Sequence, residues 1–391
     1  MIKRIAAALL ALCLVLPLAA CGQGGELELN IDELGEELYA LDESVAQGLY
    51  GTDADTRCWV RAGTGATAEE LAVFETKDAD AAAALETDTP YTVLSWNIGF
   101  GAYESDYGFF MDGGTESRAW SRERLTANMD AVASLLKAQD ADFTLLQEVD
   151  MNATRTYHVD EREVLYAALF DRSSVFCQNY DSPYLMYPVT KPHGASQSGL
   201  LTFSAAQISD ARRVELPVEP GFRKLLDLDR CYSVSHIPVD GGKALALYNF
   251  HLSAYTSDGT IATEQLTLLL ADMQAEYDAG NWCVAAGDFN KDLLGDSSAY
   301  FGASDTDYAW AQPIPEGTFD GYDVSLAAPL DESDPVPSCR NADGAYHEGQ
   351  YVLTVDGFLV TPNVTVESAQ VLDTRFAYSD HNPVRMTFTL K

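Results

Sequence analysis

Eight polar side chains, most of them at the ends of apolar runs, make up a set with one consistent chemistry: Asn97, Glu148, His251, Asp288, Asn290, Asp356, Asp380 and His381. The central stretch is Val284-Ala285-Ala286-Gly287-Asp288-Phe289-Asn290. Its apolar part, Trp282 to Ala286, reads as a buried strand. Gly287 removes a Cβ where backbone or ligand must come close. Asp288 and Asn290, two apart on an extended segment, share one face. A single Asp or Asn at a strand end is most simply a turn former; recurrence at several strand ends argues for a site. Hard cations such as Mg²⁺ take oxygen ligands and keep several waters, so one or two carboxylates suffice to hold them. Hydrolysis of a phosphoester needs an activated water, a cation on the phosphoryl oxygens and donors for the charge that develops. Carboxylates, amides and two imidazoles supply those parts. Serine-nucleophile chemistry fits less well, because Gly194-Ala195-Ser196-Gln197-Ser198-Gly199 misses the G-x-S-x-G spacing by one residue. His347-Glu348 lacks the second histidine of a zinc-protease helix.

The elements that must position this set repeat one grammar. Tyr91 to Ile98 reads as a strand ending in Trp96-Asn97, followed by a glycine-rich loop. A helix near Ser121 to Ala138 then places Leu125, Met129, Val132 and Leu136 on one face, and Phe143 to Gln147 is a strand that delivers Glu148. Later, Ala244 to Phe250 delivers His251. A helix from Ile261 to Ala279, closed by Gly280, leads to the strand that delivers Asp288. Convergence of strand ends is how α/β architectures build sites. Gly199 to Phe203, Cys231 to Val239, Val352 to Val360, Val364 to Val371 and Val384 to Leu390 are also strand-like. Residues 291–350, rich in Asp, Gly, Pro and Ser, read as a long loop region.

Seven short motifs carry a resemblance. They are Ser95-Trp96-Asn97, Leu146-Gln147-Glu148-Val149, Ser198-Gly199, Asn249-Phe250-His251-Leu252, Gly287-Asp288-Phe289-Asn290, Val355-Asp356-Gly357-Phe358 and Ser379-Asp380-His381-Asn382-Pro383. In this order and spacing the chain from about Tyr91 to Lys391 resembles the endonuclease/exonuclease/phosphatase superfamily. That superfamily includes DNase-I-like nucleases, neutral sphingomyelinases and inositol-polyphosphate phosphatases. The resemblance implies an α/β fold, a four-layer α/β/β/α sandwich with the site at one end of its two sheets. It implies Mg²⁺ as cofactor, with Mn²⁺ as a substitute, held by Glu148 with Asn97 and Asp380 beside it. It implies His381 as the general base oriented by Asp356, and Asp288 and Asn290 as the residues that position the nucleophile and bond phosphoryl oxygens. His251 becomes a phosphate donor or leaving-group acid. No acid lies between Lys191 and Ser209 to support it, so charge-neutral hydrogen bonding is its fallback role.

Outside the set, Arg155 follows Glu148 closely and Arg340 lies in a loop nearly devoid of other basic residues. Both are candidates for substrate phosphate, and His158 is a third substrate candidate. Arg118, Arg122 and Arg124 read as a solvated helix start, and His193 and His236 as structural or exposed.

The N-terminus reads as a separate device. Lys3 and Arg4 precede an apolar run ending in Leu18-Ala19-Ala20 just before Cys21. This is a signal peptide resembling that of a bacterial lipoprotein, with residues 1–20 removed and Cys21 carrying the lipid. Residues 21–90 read as tether and N-terminal extension, in which Leu34, Leu38 and Leu41 have helical spacing; residues 91–391 form the catalytic domain. The expected location is extracytoplasmic, on the bacterial cell membrane. Five cysteines remain, an irregular set that forms no disulfide framework, and Cys283 reads as a small core residue.

The whole chain carries 24 basic and 60 acidic residues, a net charge of −36. Loss of Lys3 and Arg4 leaves 22 against 60, or −38. Fourteen of the 24 basic residues lie between Arg118 and Lys243, and from Ala244 to Cys339 there is only Lys291. Polyanion binding rests on Lys and Arg, so a nucleic-acid partner is the less favoured one. The expected substrate is a small phosphoester or a lipid head group, with a secreted Mg²⁺-dependent endonuclease as the alternative. A non-catalytic surface lipoprotein that keeps the fold as a binding module is the alternative from another class. No protein partner is implied.

Overall fold

The apolar runs mark the cores of most strands, and β4 and β6 extend beyond theirs, to Ala153 and back to Gly194. The computed structural model describes residues 52–53, 58–61, 84–218, 229–254, 260–302 and 311–391. The signal peptide, Cys21 and the Leu34/Leu38/Leu41 stripe lie outside the described residues. In chain order the strands are β1 (Thr52–Asp53), β2 (Cys58–Arg61), β3 (Pro90–Asn97), β4 (Phe143–Ala153), β5 (Ser173–Leu185), β6 (Gly194–Ser204), β7 (Asp210–Glu215) and β8 (Cys231–Val239). They continue with β9 (Lys243–His251), β10 (Trp282–Asp288), β11 (Ser325–Ala327), β12 (Cys339–Arg340), β13 (Val352–Leu353), β14 (Asp356–Val360), β15 (Val364–Val371) and β16 (Val384–Leu390). The helices are α1 (Arg122–Gln139), α2 (Glu161–Ala168), α3 (Thr260–Asp278) and the single turn α4 (Ser298–Phe301).

Two large sheets result. The first runs β1-β2-β5-β6-β4-β3-β16-β15, and the second β11-β14-β10-β9-β8-β7. β1 and β2 come from the N-terminal extension and lengthen the first sheet past β5, where Cys58 pairs with Cys177 and Arg61 with Ser174. The strands alternate their side chains between two cores. Val93, Phe143, Leu145, Val175 and Leu200 of the first sheet meet Leu245, Leu247, Val284, Ala286 and Phe358 of the second in one buried cluster. On the far side of the first sheet, Leu94, Trp96, Leu146 and Phe203 pack against Leu125, Met129, Val132 and Leu136 of α1 and Leu165 of α2. On the far side of the second, Tyr232, Ala246, Tyr248 and Cys283 pack against Leu266, Leu269, Leu270 and Met273 of α3. Helix, sheet, sheet, helix is the α/β/β/α sandwich, with β1 and β2 on one edge of its first sheet.

The local signals behave as their chemistry dictates. Ser121 caps α1, its side chain accepting from Arg124 N. Gly280 closes α3 at φ +87. A Cβ at Gly287 would stand 2.0 Å from Phe250 O, so it is the neighbouring strand, rather than a ligand, that requires glycine there. The sheets are joined near their site end by buried amides. Gln147 Nε2 donates to Asn249 Oδ1 at 2.8 Å and to Ser95 Oγ at 3.1 Å, and Asn249 Nδ2 donates to Leu146 O at 3.1 Å. This pins together the strands that deliver Glu148, Asn97 and His251.

Candidate active site

The site forms at the ends of β3, β9 and β10, at the start of β14 and at a bulge midway along β4. β3 and β4 are parallel neighbours, with Asn97 opposite Gln147. β9 and β10 are parallel neighbours, with His251 opposite Asp288, and β14 places Asp356 opposite Asp288 on the other side. One register therefore aligns His251, Asp288 and Asp356 across three strands. Glu148 sits in a bulge of β4, where pairing to β6 shifts between Leu146 and Val149, and its φ is +55. A left-handed conformation at a non-glycine residue is uncommon and costs energy; here it turns the carboxylate out of the pleat towards the site.

Asp288 Oδ2 is the common neighbour of the set. It accepts from Asn97 Nδ2 at 3.1 Å and lies 3.5 Å from His251 Nε2 and 3.7 Å from His381 Nε2. Its other oxygen accepts from Asn290 N at 2.8 Å, while Asn290 Nδ2 donates to Leu252 O. Asn97 Nδ2 also donates to Glu148 Oε1 at 3.3 Å. Asn97 Oδ1 accepts from Gly99 N at 3.0 Å, so the amide presents its nitrogen, not its oxygen, to the two acids. A cation ligand would need the opposite orientation; here Asn97 is a donor that bridges Glu148 and Asp288. Gly99 (φ +52) leaves room beside Asp380, whose Oδ1 would lie 3.1 Å from a Cβ there.

His381 is built into its place from three sides. Nδ1 lies 2.8 Å from Asp356 Oδ2, Trp96 Nε1 donates to His381 O at 2.8 Å, and His381 N donates to Ser379 Oγ at 3.2 Å. Two residues outside the seven motifs, Ser338 and Cys339, join the site. Segment 338–340 lies along 380–382, with Asn382 N donating to Ser338 O and Arg340 N to Asp380 O. That places Ser338 Oγ 2.7 Å from Asp356 Oδ2 and Cys339 Sγ 3.5 Å from His381 Nε2. Ser379 Oγ also donates to Asn97 O at 2.8 Å. Ser338 and Cys339 lie outside every motif and have no sequence signal of their own, whereas Ser379 opens the Ser379–Pro383 motif.

Charge in the site is unbalanced. Asp288 and Asp356 are buried, and Glu148 and Asp380 are partly exposed at the mouth. Burial and the neighbouring Asp356 hold Asp288 well above the ordinary carboxylate range against the opposing charge of His381. Burial and Glu148 push Asp380 up to about 6. Burial disfavours the His381 cation, but Asp356, Cys339 and Asp288 outweigh it, and its pKa stands well above that of free imidazole. His251 goes the other way: burial, then Arg230, then His381, keep it neutral. Its Nδ1 is buried without a partner, in keeping with the missing acid. Arg230, just before β8, thus brings a positive charge to the His251 side of the site that the sequence reading did not assign.

A surplus of carboxylates held above their usual pKa is what a site for a divalent cation shows when the cation's charge is not counted. Asp288, Asp356 and His381 can bring one ligand atom each within 4.8 Å of one another. Asp356 and His381 are already bonded to each other, which leaves Glu148 and Asp380 at the mouth as the better donors.

The three substrate candidates lie elsewhere. Arg155 is buried, forks onto Asp150 with contacts of 2.9 and 2.8 Å, and stacks 3.9 Å over the Phe100 ring. Arg340 is buried and donates to the carbonyls of Asn341, Gly344, Glu104 and Tyr107. Both guanidiniums are spent on the fold, so neither is offered to a substrate phosphate. His158 is exposed, with Nδ1 2.6 Å from Asn152 Oδ1.

Fold and site together define a phosphoester-cleaving class. The model of the Endonuclease/Exonuclease/phosphatase family matches residues 94–381, and the chain belongs to that family. The family's nucleases and phosphatases are hydrolases of phosphate esters, and this chain is placed among them on that ground. No curated protein matches the sequence. Among solved structures, the fold is similar to that of an endonuclease/exonuclease/phosphatase from Beutenbergia cavernae, at 18% identity and TM-score 0.51, over 77% of this chain and 72% of that one. It is also similar to ANGEL2, a 2′,3′-cyclic phosphatase solved with adenosine-2′,3′-vanadate, at 17% identity and TM-score 0.51, over 77% of this chain and 96% of that one.

Proposed function

We propose that the protein is a Mg²⁺-dependent phosphoesterase of small phosphoesters or lipid head groups. The observation that carries the chemistry is the position of Asp288 Oδ2, 3.7 Å from His381 Nε2 and 3.5 Å from His251 Nε2. Once His381 is neutral, a water held between it and the Asp288 carboxylate has an acceptor on each side. Asp356 fixes the imidazole through Nδ1, so Nε2 is the atom that takes the water's proton. The resulting hydroxide attacks phosphorus, the ester P–O bond breaks, and the leaving oxygen is protonated from solvent while His381 returns its proton. Asn290 and neutral His251 offer uncharged hydrogen bonds around the phosphoryl group and leaving oxygen, which avoids burying a further charge. Glu148 and Asp380 would hold the cation. Bound there, it supplies positive charge that offsets the acids keeping His381 protonated and that favours the phosphoryl oxygens.

The substrate reading is supported by charge. A net −36 offers no broad basic surface for duplex DNA, and the inward use of Arg155 and Arg340 removes two cations from the exposed set. Processing before Cys21 and lipidation there would hold the enzyme on the outer face of the cell membrane, close to head groups. Among the described residues no helix is long and apolar enough to cross a membrane.

The test is hydrolysis of bis-p-nitrophenyl phosphate, followed by a panel of plasmid DNA, sphingomyelin, inositol phosphates and nucleotides at equal Mg²⁺. Turnover that disappears with chelator and in His381→Ala supports the reading. Rapid plasmid nicking with nothing on the small esters makes the protein a nuclease, and silence across the panel with Mg²⁺ or Mn²⁺ makes it a binding module.

A further inference from the structure

The two most exposed large apolar side chains among the described residues sit two apart on one turn. Tyr187 is 67% exposed and Val189 68%, and Met111, at 40%, projects from the loop beside them. Phe110 of that loop packs its ring 5.5 Å from Tyr187. The turn is the tip of the β5–β6 hairpin, whose last pair is Leu185 with Gly194. β6 pairs Gly199 with Val149, next to Glu148, and Ser196 with Ala153. The tip therefore rises from the same end of the sandwich at which Glu148, Asn97 and Asp380 open. Gly194 is five residues beyond Gly199, roughly 15 Å at ~3.3 Å per residue.

The turn is braced. His193 N donates to Tyr187 O and Lys191 N to Pro188 O, both at 3.1 Å. Arg118 Nε donates to Pro192 O, Lys191 pairs with Glu116 at 2.9 Å, and His193 Nδ1 lies 2.8 Å from Ser117 O. The backbone is fixed while Tyr187 and Val189 are held outward, so little order has to be imposed when they are covered. Charge also sets the tip apart. Residues 182–209 contain no Asp or Glu, the longest such run after the leader in a chain with 60 acids. Asp112, beside Met111, is the acid nearest the patch in sequence.

We propose that this tip docks the protein onto a lipid bilayer with the mouth of the site facing the head groups. Two or three apolar side chains on a turn offer far less than the ~1,200–2,000 Å² that a stable protein interface buries, whereas a bilayer needs no matching surface. Tyrosine suits the headgroup level, where its ring is buried and its hydroxyl stays wet. Residues 22–51, if tethered at Cys21, span at most ~100 Å at ~3.3 Å per residue, which lets the site end reach the membrane. Docking itself does not depend on catalysis; the presentation of head groups to the site rests on the phosphoesterase reading.

The test uses residues 21–391 with Cys21→Ser, which carries no lipid, and phosphatidylcholine vesicles with or without phosphatidylglycerol. Co-sedimentation should show partition onto phosphatidylcholine, weaker as phosphatidylglycerol is added because the acidic body is repelled. Tyr187→Ser/Val189→Ser should reduce partition at least about tenfold, with bis-p-nitrophenyl phosphate turnover unchanged. In Val189→Trp, indole fluorescence should shift to the blue on vesicles. No partition by the parent, or equal partition by the double variant, overturns the proposal. So does a parent dimer in sedimentation that the double variant abolishes, since a second copy then covers the tip. Running the same assay on His381→Ala separates docking from catalysis.

Discussion

His381 and Asp356 are joined by a 2.8 Å contact between Nδ1 and Oδ2, and that same oxygen accepts from Ser338 Oγ at 2.7 Å. The carboxylate is thereby fixed before it fixes the imidazole. Removing the base should cost the share usually assigned to general-base catalysis, so His381→Ala should lower kcat about 10²–10⁴-fold with KM little changed. Asp356→Asn should reproduce part of that loss. Ser338→Ala should cost less and move the pH–rate profile rather than KM, because it acts through Asp356. Equal kcat in His381→Ala and the parent would falsify the base assignment.

Glu148 and Asp380 are the acids exposed at the mouth, and Asn97 holds Glu148 Oε1 at 3.3 Å. A hard cation that loses one charged oxygen ligand should bind more weakly. Glu148→Gln should therefore raise the Mg²⁺ concentration for half-maximal activity by about tenfold or more, with part of the rate recovered at high Mg²⁺. Asn97→Asp tests the amide's orientation. If Asn97 acts as a donor, the variant places a third carboxylate against Glu148 and Asp288 and should lose activity; if the amide oxygen is a ligand, the variant should bind cation more tightly. Titration of Mn²⁺ by calorimetry reads the two outcomes without relying on turnover.

The strand ends carrying Asn97, Glu148, His251 and Asp288 were legible because each follows an apolar run buried on both faces, and such runs announce themselves. β5 and β7 and the short α2 were not. β5 reads Ser-Ser-Val-Phe-Cys-Gln-Asn-Tyr-Asp-Ser-Pro-Tyr-Leu, and its Ser173, Ser174, Gln178, Asn179 and Ser182 are buried polar residues. It has no alternation to detect, because it lies between β2 and β6 and is covered by other parts of the fold. β7, Asp-Ala-Arg-Arg-Val-Glu, is a half-exposed edge strand. The roles of Arg155 and Arg340 were equally hidden. Their isolation among basic residues suggested a free cation, whereas Arg155 turns onto Asp150 five residues before it and Arg340 onto backbone carbonyls. Arg340 gathers Glu104 and Tyr107 from more than two hundred residues away.

Arg155 yields a stability prediction where a binding role had been expected. Its guanidinium and the Asp150 carboxylate are both out of solvent, and its pKa is raised by Asp150 in spite of burial. Breaking such a pair strands one charge in the interior, at about 3–5 kcal/mol. Arg155→Met should lower stability by about that amount in urea denaturation. The bidentate fork and the stack on Phe100 also demand a planar group, so Arg155→Lys should recover only part. At a temperature where the variant is folded, its KM for a phosphodiester should match the parent's. A raised KM with unchanged stability would return Arg155 to the substrate.

Glu161 stands behind the same pair. Its side chain is buried, Oε2 accepts from Asp150 N at 2.8 Å, and Oε1 has no partner. Burial first, and then the charge of Asp150, raise its pKa well above the usual carboxyl value. The sign of the linkage follows from that direction. A carboxyl with a raised folded-state pKa holds its proton more tightly in the native chain than in the unfolded one, so the native state loses stability as pH climbs from the ordinary carboxyl range through the folded value. The native protein should therefore lose stability on this account above about pH 4.5, the unfolded carboxyl range, and the loss should be complete once the folded carboxyl has ionised. Glu161→Gln mimics the protonated acid and still accepts from Asp150 N. It should flatten the fall of Tm between about pH 5 and 8 and leave the variant a few degrees more stable than the parent at the upper end. Thermal melts at matched ionic strength across that range measure both effects. A variant less stable than the parent at every pH would mean that Glu161 is charged in the native protein and supports Arg155 directly.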